Sequence, residues 1–148
     1  METSRLVVGL STGLMGGATT AGALVGLRLR HAAASAPFEA AGLALLDSWR
    51  LLAPSPQVVI VVGVGAHVVW MLLWGVCFSV ASTRLRGLSL AAGAALFVIL
   101  LGALSATVVP GALGAAAQAA LTMAQTIFFL ALLAVSLIAG VSFARKAL

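Results

Sequence analysis

His67 is the residue whose type and position are best suited to chemistry, because it can ionise near neutral pH and lies inside a long apolar run. The other histidine, His31, lies in a segment that connects two such runs. Trp70 and Trp74 follow His67 at i+3 and i+7, so the three rings share one helical face. An ionisable side chain at membrane depth marks a ligand site or a proton path. His67 is therefore the first candidate cofactor-binding residue.

Polar residues in the last apolar run are expected to face His67. Gln118, Thr122 and Gln125 recur at helical spacing, and the second and fourth runs cross the bilayer in the same direction. His67 should then be level with Thr122 and Gln125, with the pair Thr19-Thr20 of the first run at the same depth. One interpretation is a neutral imidazole bonded to a Gln or Thr of another helix, within an intramembrane polar cluster of His67, Gln118, Thr122 and Gln125.

The other interpretation gives His67 a ligand. A lone imidazole can hold haem or chlorophyll, and the spacing of Gly63 and His67 would let a flat macrocycle approach the helix. A second axial ligand would have to come from Met15 or Met123, because His31 is outside the runs. Apart from this tetrapyrrole alternative we expect no cofactor. We also expect no metal site, since a single cysteine cannot build a thiolate cluster.

The positions of the acidic residues argue against catalysis. Glu2, Glu39 and Asp47 are the only acidic side chains, and all three lie outside the apolar runs. The sequence has no His-Glu-x-x-His pair and no evident Ser–His–acid set. We therefore expect no enzyme and no catalytic residue. Proton-coupled transport would also depend on His67 alone.

Four apolar runs without a single Asp, Glu, Lys or Arg must position these residues: Leu6–Leu27, Val58–Thr83, Gly87–Val109 and Gly111–Ala144. A bilayer core needs about 20 apolar helical residues, and each run is long enough. The chain is 63% hydrophobic and only 7% charged, so its helices lack the charged faces that water requires. We predict an all-α integral membrane protein, a four-transmembrane-helix bundle forming one domain over 1–148. The spans are expected at about 6–27, 58–83, 87–109 and 115–142.

The first connection between spans is long enough for a helix of its own. Its apolar residues keep 3–4–4–3 spacing, which predicts an amphipathic segment over about 37–53 with one buried face: Phe38, Ala41, Leu45, Trp49 and Leu52. This helix would lie in the outer membrane interface. The alternative is a flap that packs over the mouth of the bundle.

Small residues recur every fourth position in the first run: Gly9, Gly13, Gly17 and Ala21. This stripe predicts a helix-packing interface, because small side chains let two backbones approach closely in lipid. Two alternatives remain open. The stripe packs inside the same bundle, or it contacts a membrane protein partner or a second copy of the chain.

The basic residues indicate an orientation rather than nucleic-acid binding. With both termini inside, the cytoplasmic side carries five of them (Arg5, Arg84, Arg86, Arg145 and Lys146) and the outside three (Arg28, Arg30 and Arg50). Lys and Arg next to spans favour the cytoplasmic side and meet anionic lipid. The dominance of Arg over Lys, with abundant Ala, Gly, Leu and Val, is typical of a GC-rich bacterial genome. We predict a multi-pass protein of the bacterial inner membrane, with cytoplasmic termini and the lipid bilayer as its partner.

Two resemblances accompany these patterns. The sequence Gly65-Ala-His67-Val-Val-Trp70-Met-Leu-Leu-Trp74 resembles the bacteriochlorophyll-binding span of light-harvesting polypeptides, which have one span rather than four. Most of the chain resembles small four-span bacterial proteins of unknown function. That likeness is carried by Gly9–Gly26 with Met15, Gly65-Ala-His67, Leu73-Trp-Gly75, Arg84-Leu-Arg86-Gly87 and Val109-Pro110-Gly111. It implies the number of spans and no activity.

The function predicted from the sequence is a non-catalytic structural or accessory membrane subunit that packs through small-residue helix faces. The alternatives are a small transporter or channel, and a tetrapyrrole-binding membrane protein that uses His67.

Overall fold

The computed structural model describes residues 2–28, 34–51, 55–107 and 121–146, and this part of the chain is helical, without strands. It contains α1 (Glu2–Arg28), α2 (Ala36–Ser48), α3 (Pro56–Ala81), α4 (Gly87–Thr107) and α5 (Met123–Lys146). All of these except α2 are long and apolar enough to cross a membrane. The structure is thus compatible with a multi-pass membrane protein built as a helical bundle.

Helix α1 lies between α3 and α5, and α4 packs against α5. Aromatic side chains link α3 to α4: the ring centroids of Trp74 and Phe97 are 5.8 Å apart, and those of Phe78 and Phe97 are 5.2 Å apart. The core between the four long helices is apolar and includes Met71, Phe78, Val98, Leu133, Leu137 and Val141.

The small residues of α1 face α3. Gly9, Gly13 and Gly17 are buried, and Ala21 is half-buried. A Cβ atom added to Gly13 would lie 2.6 Å from the Met71 carbonyl oxygen and 2.7 Å from the Leu72 Cα. Such distances leave no room for a side chain, so the two backbones touch. Gly9, Gly13 and Gly17 therefore lie against α3 of the same chain.

Helix α2 packs on the first half of α3 through a pair of glycines. Gly42 and Gly63 are both buried, and a Cβ on Gly42 would lie 2.9 Å from the Val59 carbonyl carbon and 3.1 Å from the Gly63 nitrogen. The buried residues of α2 are Pro37, Phe38, Ala41, Gly42 and Leu46.

This buried face differs from the predicted one. Phe38 and Ala41 are buried as expected, but Leu45 is half-buried, Trp49 is 61% exposed, and Leu52 falls outside the described residues. The prediction rested on the spacing of apolar side chains, whereas the close approach to α3 is made by a glycine, which that pattern does not count.

The last helix begins later than predicted, at Met123 rather than near 115. Pro110-Gly111, between the third and fourth predicted spans, and the polar residue Gln118 lie outside the described residues. At the other end of α5, Arg145 donates hydrogen bonds to the Ser82 carbonyl (2.8 Å) and the Leu85 carbonyl (3.3 Å). These bonds tie α5 to the turn between α3 and α4, where a cation also complements the C-terminal end of α3.

Large apolar side chains cover the outer surface of all four long helices. Leu14, Val69, Ile99 and Val135 are 57%, 67%, 61% and 61% exposed. Water would penalise so much apolar surface, whereas lipid tails would not.

Candidate functional site

His67 lies at the interface between α1 and α3 and bonds to α1. Its Nε2 atom is 3.1 Å from the Thr20 hydroxyl oxygen and 3.2 Å from the Gly17 carbonyl oxygen. A carbonyl oxygen only accepts, so a hydrogen bond to Gly17 requires a hydrogen on Nε2. The Thr20 hydroxyl donates its own hydrogen to the Gly16 carbonyl at 2.7 Å, which leaves its oxygen to accept as well. The geometry therefore assigns His67 the role of a donor shared between two oxygens of α1.

The groups around His67 come from three helices. Thr20 is fully buried in α1, and the Phe38 ring of α2 meets the imidazole edge-on, with centroids 5.8 Å apart. His67 itself is the twelfth residue of α3, well inside the helix. The side chain is thereby held where α1, α2 and α3 meet.

Of the polar residues predicted to face His67, the two that the structure describes, Thr122 and Gln125, bond each other. The Thr122 backbone N–H donates to Gln125 Oε1 at 2.9 Å, and the Gln125 N–H donates to Thr122 Oγ1 at 3.3 Å. This reciprocal pair is a capping box, which satisfies the exposed N–H groups at the start of α5. Because α5 begins at Met123, these residues lie at a helix end rather than at mid-span, and the hydrogen bonds described for His67 go to α1 instead.

Thr20 is the side chain that hydrogen-bonds His67. One indication of this contact was present in the sequence, because Thr20 lies in the first run at the same depth as His67. The Gly17 carbonyl carries no sequence signal, because it becomes accessible only where glycines let the two backbones approach. Thr12, about two helical turns before Thr20, is also fully buried and donates to the Val8 carbonyl at 2.7 Å.

The path expected for a macrocycle is filled by protein. A Cβ on Gly63 would lie against the Phe38 carbonyl and 3.0 Å from the Gly42 nitrogen, so α2 covers this side of α3. The candidate axial ligands Met15 and Met123 are 38% and 81% exposed on the bundle surface. Among the residues that the structure describes, no three His, Cys, Asp or Glu side chains converge to hold a metal.

An apolar cavity of about 380 Å³ lies on a different side of α3. Leu45 of α2 and Trp49, which follows α2, line it together with Gly65, Val69 and Trp70 of α3, and His67 does not. The cavity presents apolar side chains and no convergent polar group, so its lining offers no chemistry.

An aromatic cluster continues from this cavity toward α4. Trp70 and Trp74 meet edge-on with centroids 5.2 Å apart, and Trp74 also contacts Phe97. The Trp74 indole nitrogen is buried and has no hydrogen-bond partner among the described residues. The cluster fills the space between α3 and α4 by packing alone.

No known protein family, curated protein or solved structure matches the chain. Its function therefore has to be inferred from its own residues and their geometry.

Proposed function

We propose that this protein is a non-catalytic membrane protein with a structural or accessory role. The proposal is based mainly on the surroundings of His67. Its Nε2 atom hydrogen-bonds two oxygens of α1, and the residue does not line the apolar cavity on α3. Ser79 of α3 likewise donates to the Arg5 carbonyl of α1, whereas Ser136 donates to the Leu132 carbonyl of its own helix. The described polar side chains inside the bundle thus bond groups of their own helix or of a neighbouring helix rather than converging on a substrate.

We further propose that the protein resides in a bacterial inner membrane with both termini in the cytoplasm. The ends of α1 and α5 that carry Arg5, Arg145 and Lys146 lie beside the turn that carries Arg84 and Arg86. On the opposite side, Arg28 ends α1 and Arg50 follows α2, and Arg30 lies outside the described residues. This asymmetry supports the orientation by the positive-inside rule. In the same orientation α2 lies toward the outer face, where an interfacial helix would be expected.

An accessory role also constrains the surface that a partner would use. Gly9, Gly13 and Gly17 are covered by α3, so they are not accessible to another protein. A partner would meet the large apolar side chains on the outside of the bundle, as a neighbouring helix in lipid does. The proposal therefore places recognition on the outer surface and keeps the glycine face for internal packing.

Purification from the native membrane in a mild detergent tests this function. An accessory subunit should co-purify with one partner at fixed stoichiometry, and its deletion should lower the level or activity of that partner. A chain that purifies alone and conducts ions or carries solute after reconstitution would contradict the proposal. A visible absorption band that disappears in His67→Leu would instead favour the tetrapyrrole alternative.

A further inference from the structure

Three arginines from three separate parts of the chain line one cavity at the end of the bundle opposite α2. The cavity has a volume of about 320 Å³ and is lined by Arg5 at the start of α1, Arg86 in the turn before α4, and Arg145 near the end of α5. The hydroxyl residues Ser4, Ser79 and Thr83 and the apolar Val8 complete the lining. Guanidinium groups with hydroxyl groups are the donors that bind phosphate.

Two of these arginines are held in place by the fold. Arg145 donates to the Ser82 and Leu85 carbonyls, and also to the Ser82 hydroxyl at 3.1 Å. Arg86 donates through Nη1 to the Leu85 carbonyl at 2.9 Å and the Thr83 carbonyl at 3.2 Å. Carbonyl groups are neutral, so these bonds orient the guanidinium groups and leave their positive charges in place.

The charge at this end of the bundle is strongly one-sided. The chain has three acidic residues, and two of them, Glu39 and Asp47, are on α2 at the other end. Glu2, the first residue of α1, is the only acidic residue in the sequence segments that meet here. A second cavity of about 320 Å³ shares Arg86 and Arg145 and adds Ser142 and Lys146, which extends the basic surface.

The cavity also lies at the right level for a lipid headgroup. Its lining residues come from the ends of the apolar helices, and lipid headgroups lie where such helices leave the hydrocarbon core. Large apolar side chains flank it within one or two positions of its lining residues: Leu6 is 51% exposed, Val80 55% and Phe143 65%. These could contact acyl chains while the arginines contact a phosphate.

We propose that this basic cavity, lined by Arg5, Arg86 and Arg145, binds the phosphate of an anionic phospholipid headgroup in the cytoplasmic leaflet. The proposal rests on the membrane placement given above, but not on an accessory role. The same chemistry would also accept free inorganic phosphate, so the two sources have to be separated by experiment.

The test uses the purified full-length chain in a neutral detergent, with bound lipid measured by native mass spectrometry. Phosphatidylglycerol and phosphatidylcholine are titrated separately, because they differ in headgroup charge. We expect phosphatidylglycerol to bind at least about tenfold more tightly, since charge-assisted contacts to phosphate are the strong ones.

Arg5→Gln and Arg86→Gln should each weaken phosphatidylglycerol binding about tenfold. The matched control is Arg84→Gln, which removes the same charge from the same end of the bundle but from a residue that lines neither cavity. It should leave the affinity within about twofold. The Arg5 side chain is exposed, so its variant is expected to fold, and circular dichroism checks this for all three.

Three outcomes would overturn the proposal. Equal losses in all three variants would mean diffuse surface charge rather than a site. Equal binding of the two lipids would mean recognition of acyl chains. Binding of inorganic phosphate without lipid, with the same sensitivity to Arg5→Gln, would assign the cavity to a free anion. Because no partner protein is present, none of these results depends on the accessory role, and flotation of the chain with phosphatidylcholine vesicles checks its membrane placement separately.

Discussion

Helices α1 and α4 belong to one bundle but differ in their hydropathy and in how much of each is buried. The apolar window of α1 has a mean hydropathy of 1.2 and is 39% buried, whereas that of α4 has a mean hydropathy of 2.3 and is only 22% buried. The less hydrophobic helix therefore lies deeper in the protein. In lipid, hydrophobicity does not drive helices together, so small residues and hydrogen bonds determine which helix is enclosed, and apolar bulk determines which one faces lipid.

The largest effect should come from filling the glycine contact of α1. Gly13→Leu places a side chain where the Met71 carbonyl and the Leu72 Cα already lie, so α1 and α3 must separate. We expect a loss of about 3 kcal/mol or more in the free energy of unfolding. Denaturation by sodium dodecyl sulfate in mixed micelles measures it.

The matched control for this prediction is Gly22→Leu on the same helix, where an added Cβ would meet no atom within 4 Å. Its effect should stay within about 0.5 kcal/mol. If Gly13→Leu were as mild as this control, the close approach of the two backbones would be wrong.

A pair of neighbouring leucines tests whether α4 has one face packed in the core and another face exposed to lipid. Leu101 is 6% exposed and packs in the core, whereas Leu100 is 59% exposed. Leu101→Ala should cost about 2 kcal/mol because it leaves a cavity. Leu100→Ala should change the unfolding free energy by less than about 0.5 kcal/mol, because lipid replaces the lost contacts. Equal effects of the two variants in the same assay would remove the distinction between the faces of α4.

A smaller effect is expected from the hydrogen bond between Thr20 and His67. Thr20→Val keeps the shape of the side chain but removes the hydroxyl that lies 3.1 Å from Nε2. We expect a loss of about 1 kcal/mol, the usual size of an interhelical hydrogen bond in a bilayer. Thr19→Val is the control, because the Thr19 hydroxyl bonds the Met15 carbonyl of its own helix. A larger loss for Thr19→Val would place the important contact elsewhere.

The contrast between α1 and α4 also explains what could be read from the sequence. The absence of charge in four runs predicted the long helices, and the glycine spacing singled out the face of α1 that contacts α3. The partner of His67 was predicted less well, because relating Gln125 to it required the exact start of α5. A later start at Met123 moves Gln125 to the helix end.

The face of α2 shows the same limit. Its backbone comes close to α3 at Gly42, whose missing side chain allows the approach, whereas Trp49, whose size made it the more visible candidate, is 61% exposed. Hydrophobic spacing identifies where apolar side chains lie, but it does not identify where two backbones meet.

A designed cross-link tests most directly whether the glycine face of α1 lies inside its own bundle. A Cβ on Gly17 would be 3.3 Å from the Met71 Cβ, close to the spacing of about 3.8 Å found in disulfides. The variant combines Gly17→Cys and Met71→Cys with Cys77→Ser, so that no native thiol competes. The control, in the same Cys77→Ser background, combines Gly22→Cys with Met71→Cys. Oxidation in the native membrane should give a cross-linked monomer for the first pair and none for the control. A covalent dimer, or no cross-link from the first pair, would contradict the packing of α1 against α3 within one chain.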